Sequence, residues 1–355
     1  MPICNEKKLE RLKYLSDYKF IWDSIFKITG KAKKVYFSPC GILCRMGIEN
    51  ITDSYNDCSF YRLSTTSEIL RPRTRERNHK IALFGGLDYD AVISNWHDEM
   101  SSFYKNNDSQ NNNQLRGIIR QRGDFSPLYG SLIETKTINN LAIKLGYKSA
   151  CFTNNKGTEE IFKQLSKKPF EIIHISTHGM YVGKDNSLEE QKKQNLNFIL
   201  LQNQHSYISL EDVALTRSFL ILSGGNRLIH RDTIPLGMDD GILTAKEISQ
   251  MDLHKTDLVV LSACESGLGD ITNEGVLGLQ RGFKKAGVNT ILMSLDKVDD
   301  EATRILMVEF YKNLMSGKTK LQSLKDAQQY LRTTENGKYS APKYWASFIM
   351  LDGLN

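Results

Sequence analysis

Two short runs carry the side chains with most chemistry to offer, Thr177-His178-Gly179 and Ala263-Cys264-Glu265-Ser266-Gly267. An imidazole and a thiol make a base and a nucleophile if the fold brings them together. A free cysteine, with a pKa of roughly 8.5, is only about a few per cent thiolate near pH 7. A neighbouring imidazole raises that fraction by taking the proton or pairing with the anion. Attack on an amide also builds negative charge on the carbonyl oxygen. The backbone N–H groups of Gly179 and Cys264 are the candidate donors to it, the glycine letting the chain approach closely.

The elements that must position these residues are legible as apolar runs. Residues Glu171–Ser176 and Asp257–Ser262 are β-branched and leucine-rich, the pattern of strands buried on both faces of a parallel sheet. Their C-terminal ends are expected side by side, and ligands of open α/β sheets bind just beyond such ends. The separation along the chain is no obstacle, because catalytic Cys and His meet in space rather than in sequence. His174 lies inside its strand and reads as structural or supporting. Taken singly, a strand-end cysteine is more often a small core residue, and a histidine in an apolar run is more often satisfied by hydrogen bonds. The pairing of both with small or glycine neighbours favours a functional site.

The runs Ile173–Gly179, Asp257–Gly269, Glu274–Arg281 and Val298–Thr303 resemble CHAT domains, bacterial caspase-like cysteine peptidases often found with tetratricopeptide repeats. Lys34–Pro39, Tyr61–Thr65, Leu83–Tyr89, Asp240–Ile248 and Pro342–Phe348 extend the resemblance, which runs from about residue 33 to 355. It implies a caspase-like, flavodoxin-like α/β core, a mostly parallel sheet flanked by helices, with an N-terminal α/β extension. It also implies that His178 and Cys264 form the catalytic dyad of an endopeptidase that cleaves after one chosen P1 side chain. The loop expected to select that side chain is Asp296–Glu301, with Asp296, Asp299 and Asp300 as substrate-binding candidates. An acidic pocket suits Arg or Lys at P1, since a desolvated carboxylate needs a cation. The same acids also suit the first turn of a helix, and Glu301–Phe310 reads as the start of one. Asp296 stands where the family usually has Trp.

By the same resemblance, an activating protein partner, tetratricopeptide-repeat proteins included, is expected to order the active-site loops, and antiviral defence is an association of the family. The rival reading is a catalytically silent interaction module that kept the fold. No cofactor is called for. The cysteines offer one near pair, Cys40 and Cys44, without the second pair or histidines of a zinc site. The glycine pairs Gly85-Gly86 and Gly224-Gly225 lack the Lys-Ser/Thr or third Gly of a phosphate-cradling loop.

At 355 residues, 40% hydrophobic and 25% charged, the chain has the composition of an ordinary globular protein. The formal charge of +6 is spread out, and the arginine-rich run Arg71–Arg77 has no interleaved aromatics, so direct nucleic-acid binding is not expected. Neither a membrane span nor an export signal is apparent, and scattered cysteines agree with a cytoplasmic location. The expected organisation is a helical lead over residues 1–32, an N-terminal α/β portion over 33–78, and the peptidase core over 79–355 with a flexible loop at about 104–126. Strands are expected at Lys34–Phe37, Phe60–Leu63, Ile81–Phe84 and Ser149–Phe152, and helices at Ile133–Leu145 and Thr158–Leu165. Polar insertions at Lys184–Asn197 and Asn226–Asp240 are expected to shape the catalytic edge. No helical-repeat period is visible.

Overall fold

The two apolar runs do form neighbouring parallel strands, and the rest of the fold serves to hold them. The computed structural model describes residues 19–50, 55, 57–71, 78–91, 124–182, 210–230, 239–263, 266–267, 269–272 and 275–354. Cys264 lies outside them, as do most of the loop at 104–126, Pro72–Arg77, and most of the two polar insertions.

Helix α1 (Lys19–Thr29) precedes strands β1 (Lys34–Phe37) and β2 (Ser59–Arg62). Next come β3 (Lys80–Leu87), α2 (Tyr129–Lys144), β4 (Lys148–Asn154), α3 (Glu159–Lys163), β5 (Ile172–Ser176) and β6 (Gly179–Tyr181). The chain continues through α4 (Leu210–Leu215), β7 (Ser218–Ile221), β8 (Ile242–Thr244), α5 (Ala245–Ser249), β9 (Leu258–Ser262), β10 (Gly269–Thr272) and β11 (Gly275–Gly278). It ends with α6 (Leu279–Lys285), β12 (Thr290–Ser294), α7 (Asp300–Met315), α8 (Lys320–Thr333) and β13 (Phe348–Leu351).

Eight strands make one sheet in the order β1-β2-β13-β12-β9-β5-β3-β4. Every neighbouring pair is parallel except β12 and β13, so the sheet is mostly parallel, as the alternating strand and helix runs imply. Strands β6-β7-β8 form a second small sheet and β10-β11 a hairpin.

Every residue of β5 and β9 is buried. With period 2, Ile173, Ile175, Val259 and Leu261 pack with Ile248 and Phe283 on one face. Ile172 and Val260 pack with Ile138, Leu306 and Phe310 on the other. Each such side chain contributes about 1.5–3 kcal/mol on burial, which makes the central strands a rigid base for whatever leaves their ends. The N-terminal extension has a small core of its own. Trp22 of α1 lies 4.5 Å from the Phe60 ring and donates its indole N–H to Ile48 O at 2.7 Å. The helical lead and the α/β portion therefore share one cluster.

Helix α2 begins at Tyr129, four residues before the expected start. Its N-cap Leu128 offers no side-chain acceptor. Instead Asp300 Oδ2 accepts the Gly130 N–H at 3.0 Å from 170 residues away, a cap with no local sequence signal. The glycine pair Gly85-Gly86 at the end of β3 serves close packing. A Cβ at Gly85 would fall 2.1 Å from Thr135 Oγ1, and Gly86, at φ +59°, donates its N–H to Ser131 Oγ at 2.9 Å. Among the described residues, no helix is long and apolar enough to cross a membrane.

Candidate active site

Strands β5 and β9 run in register from Ile172 opposite Leu258 to Ser176 opposite Ser262. His178 follows Ser176 by two residues, and Cys264 follows Ser262 by two. Adjacent strands lie about 4.8 Å apart, so Ser176 and Ser262 end neighbouring strands at the same level, and Cys264 itself lies outside the described residues. Beyond Cys264 the described chain resumes at Ser266 and Gly267, both fastened to the exit of β12. Ser294 N donates to Ser266 Oγ at 3.1 Å, and Gly267 N donates to Ser294 O at 2.7 Å.

His178 is half-buried. Its Nε2 lies 2.8 Å from the Ser126 carbonyl oxygen. A carbonyl only accepts, so this bond puts the proton of the neutral ring on Nε2 and leaves Nδ1 with a lone pair. The rings of Tyr89 and Phe125 lie 5.1 and 5.4 Å from the imidazole. Burial among them pushes the His178 pKa below its ordinary value, against the opposing pull of the Ser126 hydrogen bond and the Asp300 charge. The ring is thus biased toward the neutral form that acts as a base.

The residue before Ser126, Phe125, is held at its backbone by Asn226, which opens the second polar insertion and was not singled out as a site residue. Asn226 is 1% exposed. Its Oδ1 accepts Phe125 N–H at 2.8 Å, and its Nδ2 donates to Phe125 O at 3.1 Å and to Asp90 Oδ1 at 2.9 Å. Its own N–H reaches Tyr89 O at 2.9 Å. One amide side chain therefore joins the exit of β3 to the segment that grips His178. Tyr89 OH donates to Thr177 Oγ1 at 2.9 Å, and that hydroxyl donates to Ile221 O. Burial pushes the Tyr89 phenol up to about 12, so it stays protonated as a donor. Asn226 sits in a loop-like GGN run whose only sequence signal is a buried-compatible amide beside two glycines.

Gly179 opens β6 opposite Leu220, while Ile221 N donates to His178 O at 2.9 Å. That bond makes Gly179 and Leu220 a non-hydrogen-bonded pair, with the Gly179 N–H turned away from β7. Since β6 is the edge of its sheet, this donor faces outward. Two residues on, Tyr181 OH donates to Asp270 Oδ1 at 2.7 Å, and Arg217 pairs with Asp270 Oδ2. Asp270 is 4% exposed and lies on β10, the strand that follows the Cys264 loop. It ties β6, which follows His178, to β10, which follows Cys264 in the chain, and the sequence alone gives no sign of it because both partners come from distant elements.

The three acids expected at P1 have distinct settings. Asp296 is half-buried, and its Oδ1 accepts the Lys297 N–H at 2.8 Å. Asp299 caps α7, with Oδ1 accepting Ala302 N–H at 2.9 Å. Asp300 is exposed, caps α2, and is the one whose charge reaches His178 and Tyr89.

His174 is fully buried, its Nε2 2.9 Å from Glu134 Oε1 but out of line for a directed hydrogen bond. The Tyr311 ring meets it edge-on at 5.5 Å. Among the described residues, the acids Glu159, Asp239 and Glu247 converge, with Lys163 Nζ at 2.7, 2.8 and 3.0 Å from them. The ammonium supplies the positive charge there.

Comparison with known proteins gives three findings. The CHAT domain family model matches residues 31–353. Tetratricopeptide repeat protein 28 of Mus musculus is 30% identical over 110 residues, 31% of this chain and 4% of that protein, and its Homo sapiens counterpart is 29% identical over the same length. The chain thus spans a small fraction of the length of these relatives. Among solved structures, the Arg-specific cysteine proteinase gingipain R matches at 10% identity with a TM-score of 0.46, over 94% of this chain and 66% of that one. The complex of Porphyromonas gingivalis RgpB pro- and mature domains matches at 10% identity and 0.44, over 94% and 67%.

Proposed function

Because this chain belongs to the CHAT domain family, we propose that it is a caspase-like cysteine endopeptidase with Cys264 as nucleophile and His178 as base. The observation that carries this reading is the register of β5 and β9 together with the Ser126 carbonyl on His178 Nε2. With that nitrogen committed, Nδ1 takes the thiol proton. The thiolate attacks the scissile carbonyl, and the oxyanion accepts from the outward N–H of Gly179 and from that of Cys264. As the tetrahedral intermediate collapses, the C–N bond breaks and His178 returns the proton to the leaving amine. Water, deprotonated by the same ring, then hydrolyses the thioester.

The substrate is a polypeptide. The acids Asp296, Asp299 and Asp300 favour a basic P1, with Asp300 the one whose field acts on the site. Activation by a protein partner follows from the same family membership, and the match to tetratricopeptide repeat protein 28 supports repeat proteins as that partner's class.

Peptide-library profiling of wild type against Cys264→Ala, with and without lysate of the native host, tests this reading. Cleavage present only with Cys264, concentrated after Arg or Lys, is the expected result. Equal signals from both proteins under both conditions would leave the chain a non-catalytic interaction module.

A further inference from the structure

A cavity of about 260 Å³ opens between the N-terminal α/β portion and α6. It lies beside Ile349 and Leu351 of β13, which pair with Met293 and Ile291 of β12. Its floor is aliphatic, with Leu63, Val276, Ile349 and Leu351. Its walls carry Arg62, Arg71, Arg281, Lys284 and Lys285 against one carboxylate, Glu68.

The inner cations are firmly paired. Arg62 meets Glu49 through two nitrogens at 2.7 and 2.8 Å, and Lys284 meets Asp352 at 2.8 Å. The rim cations are held less tightly. Arg281 and Lys285 share a single oxygen of Glu211 at 2.9 and 3.5 Å, and Arg71 stands 3.5 Å from Glu68. All three are more than a third exposed, at 36%, 40% and 37%. Among the described residues, five cations thus face four carboxylates, and the more exposed cations stand at the mouth.

The chemistry narrows the occupant. None of the lining residues is aromatic, so a nucleobase finds no stacking platform. The volume is below the roughly 300–1,000 Å³ of sites that enclose a whole small ligand. An aliphatic floor under a cationic rim fits one apolar side chain flanked by carboxylates.

We propose that this cavity docks an acidic peptide segment of a partner protein, an aliphatic side chain entering over Leu63 and Leu351 while its acidic neighbours pair with Arg71, Arg281 and Lys285. Such an occupant leans on β11 and α6 through Val276 and Arg281. Those elements continue the hairpin whose Asp270 holds Tyr181, one strand after His178. Binding here is measurable without turnover, so it stands or falls apart from the peptidase reading.

The test is fluorescence anisotropy of the full chain with a labelled, capped peptide of alternating glutamate and leucine, beside a lysine–leucine counterpart and a single-stranded oligouridylate. The acidic peptide is expected to bind best and to weaken with salt. The double variant Arg281→Glu/Lys285→Glu should weaken it about tenfold or more, and Arg71→Ala by a smaller factor. If circular dichroism finds the double variant unfolded, Arg71→Ala decides. Failure of the acidic peptide to bind, equal binding of the lysine peptide, preference for the oligonucleotide, or unchanged affinity in folded variants overturns the proposal.

Discussion

His174 lies inside β5 and His178 two residues beyond its end, and the two imidazoles meet opposite surroundings. The interior of β5 seals His174 at 0% exposure against Glu134 and Tyr311, in a layer of apolar side chains where any change is felt as packing. At the exit, His178 keeps one nitrogen on a backbone carbonyl, the other free of that bond, and a face toward solvent. The difference teaches that residue type is not what makes a base. The strand end supplies access, and the loops supply orientation.

Replacing each histidine should therefore fail in a different way. His178→Ala is expected to lower kcat/KM by about a thousandfold or more while thermal unfolding moves little. A comparable loss of stability would erase the contrast between the two regions. His174→Ala should do the reverse, destabilising by roughly 2–4 kcal/mol in denaturant titration because it opens a cavity and strands a buried carboxylate. Activity per folded molecule should be nearly retained, and its disappearance would give His174 a part in catalysis.

Asn226→Ala sharpens the comparison at one remove. The Phe125 backbone beside Ser126 loses its anchor, so kcat should fall about ten- to a hundredfold with KM little changed. Asn226→Gln, which keeps both the acceptor for Phe125 N–H and a donor for Asp90, should recover part of the loss. Equal effects of the two variants, or an effect confined to stability, would make Asn226 a packing residue only.

The smallest expected effect is on pH dependence. Activity falls on the acid side as His178 gains its proton, and burial already holds that transition below the ordinary imidazole value of 6.5. Asp300 opposes burial, so removing its charge in Asp300→Asn lets the acidic limb of kcat/KM slide to lower pH. An unmoved limb, or one shifted upward, would detach Asp300 from the site.

How much of this was legible in the residues follows from where each interaction comes from. Strands β5 and β9, with Ser176 and Ser262 at their ends, were readable because burial on both faces forces an apolar run, and β1 was readable at Lys34–Phe37 as a short run of Val, Tyr and Phe. The sheet's mostly parallel character followed from the alternation of strands and helices. The start of α2 was not readable, since its cap is Asp300 from another element. Nor were Asn226, Asp270 and the Ser126 carbonyl, because each acts through partners between 52 and 136 residues away, and one of them is backbone. The sheet β6-β7-β8 is built of strands only three or four residues long, too short to carry a period. Positions His178 and Gly179 were legible as types at a strand end; the outward direction of the Gly179 N–H belongs to the pairing of β6 with β7.

The central claim is that His178 arms Cys264, and the chain contains its own reference thiols. Cys40 is exposed, while burial pushes the thiols of Cys44, Cys58 and Cys151 up and makes them slow. Site-resolved alkylation by mass spectrometry at neutral pH, in wild type and in His178→Ala, tests it most directly. Cys264 should react faster than Cys40 in wild type and lose that advantage in the variant. If Cys264 reacts no faster than Cys40, or at the same rate with and without His178, the imidazole and the thiol do not work together and the peptidase assignment is contradicted.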